Sequence, residues 1–276
     1  MSAPLRVVVV TATTNINRAA ACLSSWGPTP KVIVRNGPPD ISTSWQAHVA
    51  NAEVIEQQEY LGTVPAFRLG VDAALERFPD AQVIACLHDD VIIRDEDWAS
   101  KVGWLFQRKP ECGLAGFSGA IGVGAQEIYQ AEYKPMQLAR IGFRSNLDDA
   151  EVHGIRSLLV EQVACGDGFS QIGRREFFEG KTRAGAEVPA PWTLLEELGV
   201  VHHAYDSFMG CLAARYGWAT YYIPIRCKHL GGQTAVGDAG YQAWASAHVK
   251  GGDAALWEQA HRIFFDNAVD VLPLRV

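Results

Sequence analysis

Short apolar runs alternate with segments of helical spacing through the first half of the chain. Four consecutive valines, Val7 to Val10, lie inside a strand predicted over Leu5 to Thr11. Such an unbroken apolar run marks a strand covered on both faces in a parallel sheet. Asn15 to Trp26 places Ile16, Ala19, Ala20 and Leu23 at helical spacing and stops at Gly27-Pro28, which predicts a helix. Lys31 to Val34 predicts a second strand closed by the turn Asn36-Gly37-Pro38-Pro39, and Ala52 to Ile55 a third. Val64 to Phe78 reads as a helix with Phe67, Val71, Ala74, Leu75 and Phe78 on one face. Gln82 to Leu87 is another buried strand, ending abruptly in His88-Asp89-Asp90. A helix over Asp95 to Phe106 and a strand over Gly113 to Phe117 complete this half.

The strand–helix alternation predicts an α/β fold with a mostly parallel sheet covered by helices on both faces. Ligands in such sheets bind beyond the carboxyl ends of the strands. Three polar clusters fall there: Thr11 to Asn15, Arg35-Asn36, and His88 to Asp90. From about Gly119 to Val152 the periodicity weakens, which predicts an irregular lobe over the sheet edge. Regular signals return as a strand over Ile155 to Ala164, a short helix over Arg174 to Glu179, a helix over Tyr205 to Tyr216 and a strand over Ala219 to Ile225. A glycine-rich loop from Gly231 to Gly240 then precedes a terminal helix over Tyr241 to His261. With no repeat or linker, the chain reads as a single domain over 1–276, with natural divisions at 1–118, 119–240 and 241–276.

Composition narrows the class. A chain of 276 residues, 48% hydrophobic and 20% charged, is globular rather than disordered or collagen-like. The net charge of −7 weighs against a surface that tracks nucleic acid throughout, although Arg174-Arg175 and Lys181-x-Arg183 offer a local basic patch. Six scattered cysteines without a CxxC pair read as reduced core thiols. With no leader-like start and no run of some eighteen apolar residues, the expectation is a cytoplasmic protein without an integral membrane segment. Neither a GxxxxGK[ST] loop, nor GxGxxG after the first strand, nor GxSxG is present, which sets aside P-loop enzymes, dinucleotide dehydrogenases and serine hydrolases.

Four segments remain as candidate chemistry. Adjacent carboxylates at Asp89 and Asp90 repel unless a cation neutralises them, and oxygen ligands of this kind suit Mg²⁺ or Mn²⁺ on phosphate oxygens; the plainer alternative is that they cap the following turn. His229, just past a strand, either completes a mixed oxygen and nitrogen site or packs. Asp206 opens a helix, where it serves as a helix-start carboxylate or as a general base. Cys165-Gly166-Asp167-Gly168-Phe169 reads as a tight glycine-flanked turn, either a plain turn or one that lets a ligand approach the backbone. His202 and His203 read as residues leading into a helix, and His48, His153, His248 and His261 as surface or packing groups.

In order along the chain these segments resemble a GT-A-fold glycosyltransferase of the family 2 type. The likeness rests on the Thr-rich turn Thr11-Ala12-Thr13-Thr14-Asn15, the turn Arg35-Asn36-Gly37, the helix from Gly62 through Arg68 to Gly70, and the DxD-like His88-Asp89-Asp90. It continues with Asp167-Gly168-Phe169, with Tyr205-Asp206 opening a helix that closes at Tyr216-Gly217-Trp218, and with His229-Leu230-Gly231-Gly232. Roughly residues 5 to 235 are covered.

The resemblance implies a GT-A-like fold with a nucleotide-sugar-binding half (1–118), an acceptor and catalytic half (119–240) and a C-terminal helical segment (241–276). It implies an inverting transfer of a sugar from a nucleoside-diphosphate sugar to an acceptor hydroxyl, with Mn²⁺ or Mg²⁺ as cofactor. Asp90 and His229 would hold the metal, and Asp206 would deprotonate the acceptor. Thr11, Thr13, Asn15, Asn36, Arg68, His88 and Asp89 would bind the donor, and Asp167 and Gly168 would lie near the sugar and acceptor. Three departures stand out. Arg35 replaces an Asp that reads the nucleobase in many relatives, His88 replaces the first Asp of the DxD signature, and Arg68 replaces an Asn. The acceptor class stays open among saccharide, lipid-linked glycan, protein and modified nucleic-acid base. The alternatives are a nucleotidyltransferase, which would release pyrophosphate, and a non-catalytic sugar-nucleotide-binding module.

Overall fold

A computed structural model describes residues 3–37, 51–124, 140–148, 154–231 and 239–276. The chain opens with β1 (Val7–Thr13), α1 (Ile16–Ser25), β2 (Lys31–Asn36), β3 (Ala52–Gln57), α2 (Thr63–Arg77) and β4 (Val83–Leu87). The short β5 (Val91–Ile93), α3 (Trp98–Arg108) and β6 (Cys112–Gly116) follow. β1 pairs in parallel with β2 on one side and β4 on the other, and β2 pairs in parallel with β3. The four valines of β1 show why the run has no polar face. Val8 and Val10 join the cluster holding Phe67 and Val71 of α2, while Val7 and Val9 join the cluster holding Leu23, Val102 and Phe106 of α1 and α3. Alternate residues thus serve two cores, one on each face of the sheet.

The second half does not follow its predicted outline. The stretch expected to be irregular contains β7 (Ser118–Val123) and β8 (Arg140–Ser145), antiparallel partners in a separate sheet. The single strand expected over Ile155 to Ala164 is broken into β9 (Ile155–Arg156), which pairs with β8, and β10 (Glu161–Val163), which belongs to the main sheet. Ser157 causes the break: its hydroxyl accepts from Leu159 N and donates to Glu161, a local turn that competes with the sheet ladder. β11 (Cys165–Gly166) pairs with β7, and β12 (Ser170–Arg174) runs antiparallel between β4 and β6.

Beyond β12 come the single turn α4 (Arg175–Phe178), α5 (Pro191–Glu197), α6 (Tyr205–Arg215), β13 (Ala219–Tyr222) and β14 (Cys227–His229). The two-turn α5 escapes the periodicity because seven residues are too few to show it. β13 pairs in parallel with β6 and completes an eight-stranded sheet, ordered β10-β13-β6-β12-β4-β1-β2-β3. This is a mixed α/β architecture with a large, mostly parallel central sheet flanked by helices. β14 pairs with β5 and carries His229 back to the edge where β4 ends. The expected terminal helix is two: α7 (Ala239–His248) and α8 (Gly252–Ala268), before the short β15 (Leu274–Arg275). Gly251 between them and Gly252 opening α8 take φ of 110° and 64°, values that side chains rarely adopt.

The Arg174-Arg175 half of the expected basic patch is structural. Arg174 donates to the carbonyls of Cys112, Phe106 and Lys109, and Arg175 to Glu179 and the carbonyls of Phe78, Ala81 and Leu75. All six cysteines are buried free thiols. Among the described residues no helix is long and apolar enough to cross a membrane.

α6 lies directly on β11, and Gly210 permits it: a Cβ there would stand 2.4 Å from the Ala164 carbonyl oxygen and 2.6 Å from Cys165 Cβ. Backbone on the facing side cannot move aside cheaply. Gly210→Ala is therefore expected to cost about 1–3 kcal/mol, read as a lower urea midpoint with unchanged slope.

Candidate active site

β1, β2 and β4 run parallel and end together, so their last residues share one rim. Thr13 closes β1, Asn36 closes β2, and His88, Asp89 and Asp90 follow β4. This rim borders a cavity of about 260 Å³, lined also by Asp167, Gly168, Tyr205, Asp206 and His229. The three polar clusters do meet at the edge expected for them, but their members differ in position and partner.

Thr13 Oγ1 donates to Asp89 Oδ2 at 2.6 Å, both side chains buried. Thr11, two residues back on the same face, is fully buried below the cavity and does not line it. Asn15 is exposed and also outside the lining; its backbone N–H donates to Thr13 Oγ1 at 3.1 Å. Asn36 lines the cavity, but its amide fastens the loop that leads into α2: Nδ2 donates to Gly62 O at 3.1 Å and Oδ1 accepts from Leu61 N at 2.8 Å. Arg68, expected to bind the donor, ion-pairs with Glu196 and, at 2.9 Å, with Asp72, and does not line the cavity. The helix explains this: Phe67 faces the cavity, and the next residue is turned about 100° from it. Arg35 pairs across strands with Glu56 at 3.1 Å.

His88, Asp90 and His229 form the tightest group. One potential ligand atom from each lies within 4.8 Å of the others. His229 Nε2 is 3.2 Å from Asp90 Oδ1, and its ring stacks on Phe169 at 4.6 Å between centroids. His88 Nε2 lies 2.6 Å from Tyr205 Oη, and Tyr205 gives its one hydroxyl proton to the Gly168 carbonyl at 3.1 Å. His88 Nε2 must therefore carry the hydrogen of that bond, which leaves Nδ1 as the lone-pair nitrogen. This is the second-partner arrangement that orients a ligating imidazole. Burial pushes the His88 pKa below its ordinary value against the pull of Asp90. For His229 burial also opposes the charge, but the hydrogen bond and charge of Asp90, with Asp167 and Asp89, hold its pKa up. Two imidazoles and a carboxylate suit a divalent first-row ion. His88 thus stands with the metal candidates, and Asp89, held by Thr13, stands outside the group.

Asp206 sits in the first turn of α6, preceded by Ala204 in the left-handed region at φ 61°. Its Oδ1 accepts from Ser207 N at 2.7 Å, and its Oδ2 accepts from Arg140 Nη1 at 2.5 Å. Asp167 and Gly168 form the turn facing it. A Cβ on Gly168 would stand 2.8 Å from Tyr205 Oη and 3.5 Å from Asp206 Oδ2, so only glycine leaves room for both.

Several cavity residues escape a linear reading. Arg140 comes from the stretch without periodicity, and Tyr60, His202, His203, Trp257 and His261 arrive from loops and from α8. His202 and His261, expected to be a lead-in residue and a packing group, both line the cavity, and burial lowers the pKa of each. His48 and His153 lie outside the described residues. His203 Nε2 bonds Asp253 Oδ1 at 2.7 Å, and Tyr241 donates to the same oxygen, tying α7 and α8 to the cavity wall. The His203 hydrogen bond is the main cause that brings the Asp253 pKa down to about 2. A depressed carboxylate pKa stabilises the fold fully above the unfolded value of about 3.9 and ceases to do so as pH falls through about 2. Asp253→Asn should therefore lower the melting temperature at pH 7, with the gap from the parent closing towards pH 2.

No family model matches the chain, and no curated protein matches it. Among solved structures, A197 from STIV is similar at a TM-score of 0.40 and 11% identity, over 80% of this chain and 82% of that one. Mannose-1-phosphate geranyltransferase from Thermus thermophilus is similar at a TM-score of 0.31 and 15% identity, over 44% of this chain and 42% of that one. Both likenesses are loose and do not decide the activity; the residues of the cavity must do that.

Proposed function

We propose that this chain is a metal-dependent, inverting glycosyltransferase that moves a sugar from a nucleoside-diphosphate sugar to an acceptor hydroxyl. One observation carries the reading: His88, Asp90 and His229 converge as a ligand set in the same cavity as Asp206, at the carboxyl rim of β1 and β4. A divalent ion held there would neutralise charge gathering on the departing nucleoside diphosphate. Asp206 would take the proton of the attacking hydroxyl, allowing direct displacement at the anomeric carbon. Thr13 acts on the donor side by fixing Asp89, and Asn36 by shaping the Leu61-Gly62 loop.

A thermal-shift panel of UDP-, GDP-, dTDP- and CDP-sugars, each with Mn²⁺ and with chelator, tests this. A ligand that binds only the native state raises its stability by mass action. One sugar nucleotide should raise the melting temperature with Mn²⁺ and fail to do so with chelator. No shift from any of them at millimolar concentration would remove the reading. Release of pyrophosphate rather than a nucleoside diphosphate would reassign the site to nucleotidyl transfer.

A further inference from the structure

Arg140 opens β8 and reaches the cavity from the second sheet. Its side chain and that of Asp206 are each 13% exposed, and the guanidinium lies over the Phe143 ring at 5.2 Å from the centroid. Nη1 is spent on Asp206 Oδ2. A guanidinium has five N–H donors in a fixed plane, and among the described residues no other acceptor meets Arg140. Its Nε and Nη2 hydrogens form the fork that matches a carboxylate or phosphate.

The neighbouring charges are accounted for. Asp206 is matched by Arg140 itself, and Asp167 lines the same cavity as Arg140 and the His88 and His229 imidazoles. From α8 come His261, whose pKa burial lowers and whose Nδ1 lies 2.8 Å from the Trp257 carbonyl oxygen, and Trp257 itself. The donor diphosphate belongs at the ligand set past β4 and β14. Arg140 instead stands against the carboxylate that the attacking hydroxyl must reach.

We infer that the acceptor carries an anionic oxygen group, a carboxylate or a phosphate ester, which Arg140 binds through its Nε and Nη2 edge while the acceptor hydroxyl lies against Asp206. The inference rests on the glycosyltransferase reading for which ligand is the acceptor; the anion site itself does not need it. Arg140 then decides specificity, because a neutral sugar would leave the fork without its partner.

Three sugars test this by calorimetric titration of the full chain with chelator present, which silences the metal group: methyl glucoside, methyl glucuronoside and glucose 6-phosphate. One of the two charged sugars should bind at least ~10-fold more tightly than the neutral one, as expected where a charged hydrogen-bond partner is gained. Whichever does so tells carboxylate from phosphate. Arg140→Gln should reduce that affinity to the neutral-sugar level. Asp206 loses its partner in that variant, so Arg140→Gln/Asp206→Asn, which removes both charges together, should show the same loss. Equal binding of charged and neutral sugars by the parent, or a preference that survives both variants, overturns the inference. A chain that binds sugar nucleotides but treats charged and neutral sugars alike loses this inference alone. A chain that binds a charged sugar through Arg140 but no sugar nucleotide loses the glycosyltransferase reading alone.

Discussion

Asp206→Asn should lower sugar transfer by about 10²–10⁴-fold, the range a positioned general base contributes, with sugar-nucleotide binding retained. The amide keeps the shape of the side chain and can still accept from Ser207 N, which now bonds Oδ1 at 2.7 Å. It cannot hold the proton of the acceptor. The variant also strips Arg140 of its counter-charge inside a mostly buried pair, so a stability loss of about 1.5–3 kcal/mol should accompany the loss of rate. The two effects separate by experiment. Arg140→Gln added to Asp206→Asn should recover part of the stability and none of the rate. Transfer that survives in Asp206→Asn, with far-UV dichroism unchanged, would take Asp206 out of the mechanism.

Asp90→Ala should abolish metal-induced stabilisation. At a metal concentration of 100 times Kd, binding contributes about 2.7 kcal/mol, on the order of 5–10 °C in Tm at roughly 2–4 °C per kcal/mol. That shift should vanish in Asp90→Ala, because the two imidazoles left behind supply no negative charge. Tyr205→Phe is the finer test. It removes the hydroxyl that holds His88 Nε2 at 2.6 Å without touching a ligand atom, and should weaken Mn²⁺ binding about 10–100-fold, as loss of such a partner does elsewhere. With two nitrogen donors the group should favour Mn²⁺ over Mg²⁺. The His229 proton competes with the metal, and its pKa is held above the ordinary value by Asp90. Metal affinity should therefore begin to fall at a higher pH than an unperturbed histidine would dictate. Titrations with Mn²⁺ and Mg²⁺ between pH 5 and 8 would show both trends. Equal affinity for the two ions, or a Tyr205→Phe variant indistinguishable from the parent, would count against His88 as a ligand.

Much of the scaffold is legible in the order of the residues. The valine run of β1, the helical spacing of α2 and the abrupt polar ends at Thr13, Asn36 and His88 are local patterns. Parallel pairing then compels their strand ends to one rim, since β1 has β2 and β4 as direct neighbours. Asp90 follows β4 onto this rim, while Asp206 arrives on α6 and His229 on β14 through its pairing with β5. What each residue touches is not legible in that order. Arg68 belongs to a stretch that reads as phosphate-binding, yet a turn of about 100° on the helix gives it to Glu196 and Asp72. Asn36 reaches the right place and is then consumed by the Leu61-Gly62 backbone.

The second half of the chain is less legible because its order is non-local. β7 and β8 pair with each other and with β11, β9 and β15, and the run Ser118–Val123 of β7 carries no clear alternation of its own. The contact between Arg140 and Asp206 spans 66 residues, and that between His88 and Tyr205 spans 117. No spacing rule reaches so far, since side-chain partners at that separation are chosen by how sheets and helices pack. Local periodicity and strand ends determined the α/β scaffold and the rim where chemistry gathers. Tertiary packing alone decided that His88 joins Asp90 and His229, that Asp89 belongs to Thr13, and that a guanidinium stands beside Asp206.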